Sequence, residues 1–401
     1  MKCRWPVVLI LSLPLALIFT SCSSSSSLTS GGSGFLWLAS QGNATVQAYT
    51  IDLSDGALTT NGSATGSGST PTSILIVPNS SAAFICNSAP GSAGGISAYT
   101  INADGTFSPS GSVIPAGPTP MGMAISPAGT FLFVANQGSF DLTQPGAQPG
   151  SISVFSVSGT SLAPVAGSPF PTQLPGATIG TGPVSVAVSA SGNYLYVANQ
   201  FSNTVTSFTV SSTGTLTQQN VYSVGLSPSA LFVSIAQPPI PAGQYLYVAN
   251  TGSSNISAFS ICDAENANGC STPNGLLAPV TGSPFPAQPG PIAFAMDPTA
   301  AFLYVADEQG NQVSQFSWSS GSGALTPLTP AMVSAGGSPV SLAIRTGVAA
   351  TSTVAGTDYM YVANLNASSL SIYTLNTTTG QLNVLGSPFT TPSQPSAVIV
   401  K

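Results

Sequence analysis

The chain has 401 residues, of which 3% are charged and 43% hydrophobic; four basic residues stand against ten acidic ones, and there is no histidine. Beyond residue 22 the only basic residues are Arg345 and Lys401, so no basic patch can form, and neither nucleic acid nor anionic lipid headgroups held by charge are expected partners. So much apolar content with so little net charge also excludes a disordered chain.

The first elements are those of an export signal. Lys2 and Arg4 form a positive head, and Val7 to Phe19 form an apolar run too short to span a bilayer comfortably. The run ends in FTSC, residues 19–22, followed by five serines. This resembles a bacterial lipoprotein lipobox, with Phe19 where Leu is usual. The resemblance implies a signal peptide over 1–21, lipidation of Cys22, and attachment to the membrane of the cell envelope through that lipid. Residues 22–34, rich in Ser and Gly, then read as a flexible tether.

From residue 35 onward the chain repeats. A short aromatic strand ending in a small polar residue occurs seven times: FLWLAS at Phe35, AAFICN at Ala82, FLFVAN at Phe131, YLYVAN at Tyr194 and Tyr245, FLYVAD at Phe302 and YMYVAN at Tyr359. The copies start 47 to 63 residues apart. That period signals one four-stranded unit per copy, and seven such units close into a β-propeller. The unit is plainest in 183–222: PVSVAVS, a Gly192–Asn193 turn, YLYVAN, a QFSN loop, TVTSFTV, a turn over 211–214, then TLTQQNVY. Short alternating strands joined by Gly, Asn and Ser turns read as an antiparallel meander.

The other copies agree with this one. A Pro-led first strand recurs at Pro71, Pro120, Pro228, Pro291, Pro339 and Pro395, and the third residue of each second strand is aromatic. These aromatics are read as core. The copy at Phe35 lacks a first strand, and the strand from Pro395 lacks a successor. The two fragments complete one blade, and the C-terminal strand is expected to close the ring on the N-terminal strands, removing an exposed edge. The fold class is therefore all-β, a seven-bladed propeller over 35–401, and a monomer is expected.

The repeated YVAN strand with its Pro-led neighbour resembles the YVTN-type seven-bladed propellers of the lactonase-like group, which includes 6-phosphogluconolactonase-like enzymes. The resemblance covers residues 35–401 and is carried by residues that are structural in every blade. It implies catalysis by His, Glu and Arg around the central channel. Here there is no His, the glutamates are Glu265 and Glu308, and the only Arg after the signal is Arg345. No residue carries over as catalytic. The expectation is a non-catalytic binding or scaffolding module, with a lactonase-like hydrolase of a sugar lactone as the alternative.

Candidate site residues sit on one face. The loops after the second and fourth strands share it, so Asn136, Asn199, Asn250, Asp307 and Asn364 form a polar ring there with Ser40 and Asn87. The ring could bind a small polar ligand or a protein, but turn chemistry serves equally. Asp307 and Glu308 are the one adjacent acidic pair; they are read as candidate ligand groups or as solvated turn residues. Arg345 ends an inner strand and belongs to the opposite face. DAENANG, 263–269, lacks the ligand spacing of a calcium loop, and no metal or cofactor is expected. Cys262 and Cys270 flank that loop, and export makes a disulfide between them reasonable. GSPF at Gly167, Gly282 and Gly386 is expected to pin the crossing to the next blade, and the 137–150 loop, with Phe140 and Asp141, is the most distinctive insertion.

Overall fold

A computed structural model of the chain describes residues 33–89, 94–173, 178–234, 244–263, 270–347 and 357–401. The signal, Cys22, most of the tether and all but Asp263 of the DAENANG loop lie outside them. Every element among the described residues is a strand, and the strands form seven antiparallel sheets. Blade 4 is the pattern: an inner strand Pro183–Val188, a second strand Tyr194–Asn199, a third Thr204–Val210 and an outer Leu216–Ser223, hydrogen-bonded in that order. Blades 2, 3, 5, 6 and 7 begin at Pro71, Pro120, Pro228, Pro291 and Pro339.

Blade 1 joins Ser33–Ser40, Thr45–Asp52 and Leu58–Gly66 to the last strand, Pro395–Val400. The closing register runs from Leu36↔Val400 to Ser40↔Pro395. The first strand starts at Ser33, two residues inside the expected tether, because Ser33 and Gly34 still pair with Asp52 and Ile51.

The sequence suggests why these sheets stack. The second strand of each blade is buried on both faces, as in Tyr194–Asn199 where no residue is exposed, so it is apolar at nearly every position. Seven core clusters each join two neighbouring blades. Where the aromatic at the third position has a polar tip, that tip adds a specific bond. The hydroxyls of Tyr196, Tyr247, Tyr304 and Tyr361 donate to the carbonyls of Gly275, Gly323, Gly380 and Gly56 at 2.6–2.9 Å, and Trp37 Nε1 donates to Gly105. Each acceptor is the turn glycine of the next blade. Burial pushes the four phenols well above their ordinary pKa, so they remain donors.

The aromatic at the first position of the strand lies against the same glycine. A Cβ on Gly323, whose φ is +71°, would come 2.2 Å from Tyr245 Cδ1. Gly323→Ala therefore incurs both left-handed strain and overpacking, together roughly 2–4 kcal/mol. Denaturant unfolding should show the fall, and an unchanged midpoint would contradict this interblade latch.

Two expectations are corrected. The outer strand is split in blades 2, 3, 5 and 7, where a short second piece pairs with the start of the third strand. GSPF lies within that split and not after the outer strand. Its serine hydroxyl replaces the missing ladder carbonyl: Val154 N donates to Ser168 Oγ and Ala258 N to Ser283 Oγ. Its Phe then pairs with the third strand of its own blade, Phe170 with Ile152 and Phe285 with Ile256. Cys262 and Cys270 are disulfide-bonded, with Cα atoms 5.4 Å apart, and Asp263 beside them reaches blade 4, accepting from Ser191 N at 3.0 Å.

Candidate functional site at the channel mouth

The inner strands converge on a cavity of about 310 Å³ at the face carrying the second-to-third loops. Every blade contributes the residue that follows its inner-strand proline: Ser396, Thr72, Met121, Val184, Ser229, Ile292 and Val340. The wall is completed by Gln41, Gln200, Glu308 and Leu365, each one residue beyond the end of its second strand. Among the described residues no basic side chain lines it, and Glu308 is its single ionisable group.

The loops that build this mouth are unusually constrained. The residue before each inner-strand proline has left-handed φ in all seven blades, and in five of them it is not glycine: Thr70, Thr119, Ser227, Ser338 and Gln394. A left-handed turn held in this way swings the following proline into the inner strand. Several hydroxyls at the mouth already donate to main-chain carbonyls. Thr251 and Ser229 donate to Pro291 at 2.8 and 3.0 Å, and Ser396 donates to Pro71 at 2.6 Å. Gln137 donates to Gln200 Oε1 at 2.8 Å, which directs the Gln200 amide as a donor. The mouth thus offers one carboxylate, amide donors and hydroxyl acceptors.

The polar ring read from the sequence lies elsewhere, which corrects its assignment as a set of ligand groups. Asn136, Asn199, Asn250, Asp307 and Asn364 have no solvent exposure. Their side chains bond within the blade to hydroxyls of the third strand and not chiefly to turn backbone. Asn136 donates to Ser153 at 3.0 Å, Asn199 to Thr206 at 2.8 Å, Asn250 to Ser257 at 2.9 Å and Asn364 to Ser371 at 3.0 Å. The turn before the inner strand closes over the amide. A Cβ on Gly117, Gly225 or Gly336 would come within 2.5–2.7 Å of it, so the asparagines cannot be reached from the mouth.

Of the six candidates only Glu308 faces the cavity. The cavity-lining residues not singled out are its counterparts one position beyond the strand end, Gln41, Gln200 and Leu365. Their signal was available: that column reads Gln41, Ser88, Gln137, Gln200, Thr251, Glu308, Leu365, and it varies far more than the buried column before it.

The two cations among the described residues lie at the other end of the ring. Arg345 stands six residues beyond Pro339, on the order of 20 Å along the strand, and pairs in register with Tyr359. It acts on Asp358, whose carboxyl burial nonetheless pushes above the ordinary range. Lys401 Nζ donates to Ser80 O at 3.3 Å. On the mouth face the 137–150 loop sets Phe140, 54% exposed, edge-on to Phe201 with ring centroids 5.3 Å apart.

The family model described as lactonase, 7-bladed beta-propeller, matches residues 36–166, 150–269 and 241–344. These matches span most of the chain, which belongs to that family. Among solved structures, the periplasmic gluconolactonase of Pseudomonas aeruginosa is 20% identical, with a TM-score of 0.71 over 92% of this chain and 99% of that one. A Bacteroides uniformis protein provisionally named a 6-phosphogluconolactonase is 16% identical, with a TM-score of 0.70 over 92% and 99%. A Lactobacillus plantarum protein is 20% identical, with a TM-score of 0.70 over 92% and 100%. At these identities the likeness is one of fold. No curated protein matches the chain.

Proposed function

We propose that the protein hydrolyses an uncharged sugar lactone at the channel mouth, with Glu308 as general base. The observation that carries this is the placement of one carboxylate, amid amides and hydroxyls and without a cation, in the cavity where all seven inner strands meet. Family membership favours lactone chemistry over the non-catalytic module that the missing His suggests. In the proposed reaction Glu308 takes a proton from water as its oxygen attacks the lactone carbonyl. The tetrahedral alkoxide collapses, the ring C–O bond breaks, and Glu308 returns the proton to the departing ring oxygen. Water is consumed and a hydroxy acid forms. The amides of Gln41 and Gln200 supply donors to the substrate oxygens.

The charge of the lining decides the substrate class. A phosphorylated sugar needs positive charge or a helix N-terminus, and the residues around the cavity supply neither. Gluconolactone and 6-phosphogluconolactone, offered in parallel, test the proposal: turnover above the spontaneous rate is expected for the first only. A second reading, a non-catalytic binder of neutral sugars, is favoured by the lack of a second ionisable group in that lining. Binding of glucose, a neutral sugar, without turnover of any lactone would establish it.

Export and anchoring belong to the same proposal. They are supported by FTSC ahead of the polyserine run, which would hold the propeller at the cell envelope by a lipid on Cys22. Fatty-acid labelling is expected to mark the wild type and to be lost in Cys22→Ala; equal labelling would refute it.

A further inference from the structure

Asp307 takes the place that asparagine holds in five of the other blades, and it directly precedes the mouth carboxylate Glu308. It is fully buried. Its Oδ2 accepts from Ser314 N at 3.0 Å and from Ser314 Oγ at 2.7 Å. Its Oδ1 is buried without a hydrogen-bond partner, as are the corresponding oxygens of Asn87, Asn199 and Asn250, and Oε1 of Gln312 is buried without one as well. These two acceptors belong to residues paired across the same rung, Asp307↔Gln312.

Blade 5 shows what that rung requires. There Asn250 pairs with Asn255 in the same register, and Asn250 Nδ2 donates to Asn255 Oδ1 at 2.8 Å. Asparagine brings the hydrogen; an ionised aspartate cannot. In blade 6 the Gln312 acceptor lacks that hydrogen, and Asp307 Oδ2, which meets Ser314 as Asn250 Nδ2 meets Ser257, can supply it only when protonated.

We propose that Asp307 is a protonated carboxylic acid in the native protein, donating its hydrogen to Gln312 in the way Asn250 donates to Asn255, and that it is a positioning residue holding Glu308 at the mouth as a lone negative charge. Its neighbours along the rung are neutral: Ser314 and Gln312 on the third strand and Pro291 on the inner strand. Its ionisable neighbour is the adjoining Glu308, and a second negative charge beside it would disfavour ionisation of both.

Burial is also the main cause that raises the Asp307 carboxyl to about 7, against two bonds from Ser314 that lower it. The sign of the consequence follows. A carboxyl that holds its proton more tightly when folded stabilises the native state below its unfolded pKa of 3.8, and that contribution fades as pH rises to about 7. Across that window the folded-to-unfolded ratio changes by a factor on the order of 10³.

The test compares the wild type with Asp307→Asn, which supplies the donor permanently and places in blade 6 the residue that five other blades already carry. Denaturant unfolding of full-length protein from pH 4 to pH 8 is expected to show the wild type losing stability relative to the variant by roughly 10²- to 10³-fold. Carbon-13 NMR of the aspartate side chains should show a carboxyl titrating near neutrality that disappears in the variant. Parallel stability profiles, or aspartates that all titrate in the ordinary range, would overturn the proposal; the Gln312 amide would then face the other way and donate to an ionised carboxylate. Only the positioning role rests on the lactonase reading. Neither readout uses turnover, so failure of that reading leaves this result interpretable.

Discussion

Glu308→Gln is expected to abolish most lactone turnover while leaving the protein folded. The substitution keeps the volume and the hydrogen-bonding reach of the side chain but removes the proton acceptor. Positioned general bases contribute typically 10²- to 10⁴-fold, and no second ionisable group among the described residues lines the cavity to substitute. The expected fall in kcat is therefore about 10²- to 10³-fold, with KM little changed because the glutamine still hydrogen-bonds the substrate. Glu308 is only half-buried and lies beyond the strand end, so the unfolding midpoint should hold. Steady-state kinetics on a neutral lactone provides the check. A variant with wild-type turnover would remove Glu308 from the chemistry.

The largest structural effect is expected from deleting residues 395–401. Pro395–Val400 is the inner strand of blade 1 and pairs with Leu36–Ser40. It buries Ala397 and Val398 and packs beside Tyr361 and Tyr49 in the cluster joining blades 7 and 1. Val398 N also donates to Ser341 Oγ of blade 7 at 3.1 Å, and Ser396 donates to Pro71 O of blade 2. Losing the burial of Val398, Ile399 and Val400 alone removes roughly 5 kcal/mol, comparable to the whole stability of many domains. An unpaired Leu36–Ser40 edge would be left open to other chains. Size-exclusion chromatography should find aggregate in place of monomer. A folded monomer with an unaltered melting temperature would contradict the role given to ring closure.

The fold was legible because each blade repeats the same signals: a leading proline, an aromatic third residue and a small polar strand end, most often Asn. Their sevenfold agreement specifies blade number and closure without any one copy being decisive. The site was harder to read for the same reason. The asparagine column is conspicuous because its residues do the same buried job in each blade, bonding the third strand under a tight turn. The column that lines the cavity is the next residue along, where Gln41, Gln200, Glu308 and Leu365 share a position but no chemistry. Nothing local marks it; only convergence of seven strands on one axis turns it into a wall. GSPF was expected at the crossing to the next blade, whereas its serine and phenylalanine carry the pairing across the break in the outer strand. The partnerless oxygens of Asp307 and Gln312 likewise needed the register, since a one-letter difference from Asn says nothing about who sits opposite.

The most direct test of the account is a crystal structure of the protein with gluconolactam, an uncharged and unhydrolysed analogue of the neutral lactone, bound. The account predicts one molecule in the channel mouth, its ring carbonyl facing Glu308 or a water held by it, and its hydroxyls on the amides of Gln41 and Gln200. A ligand bound at the opposite face beside Arg345, with the mouth empty at saturating concentration, would contradict it.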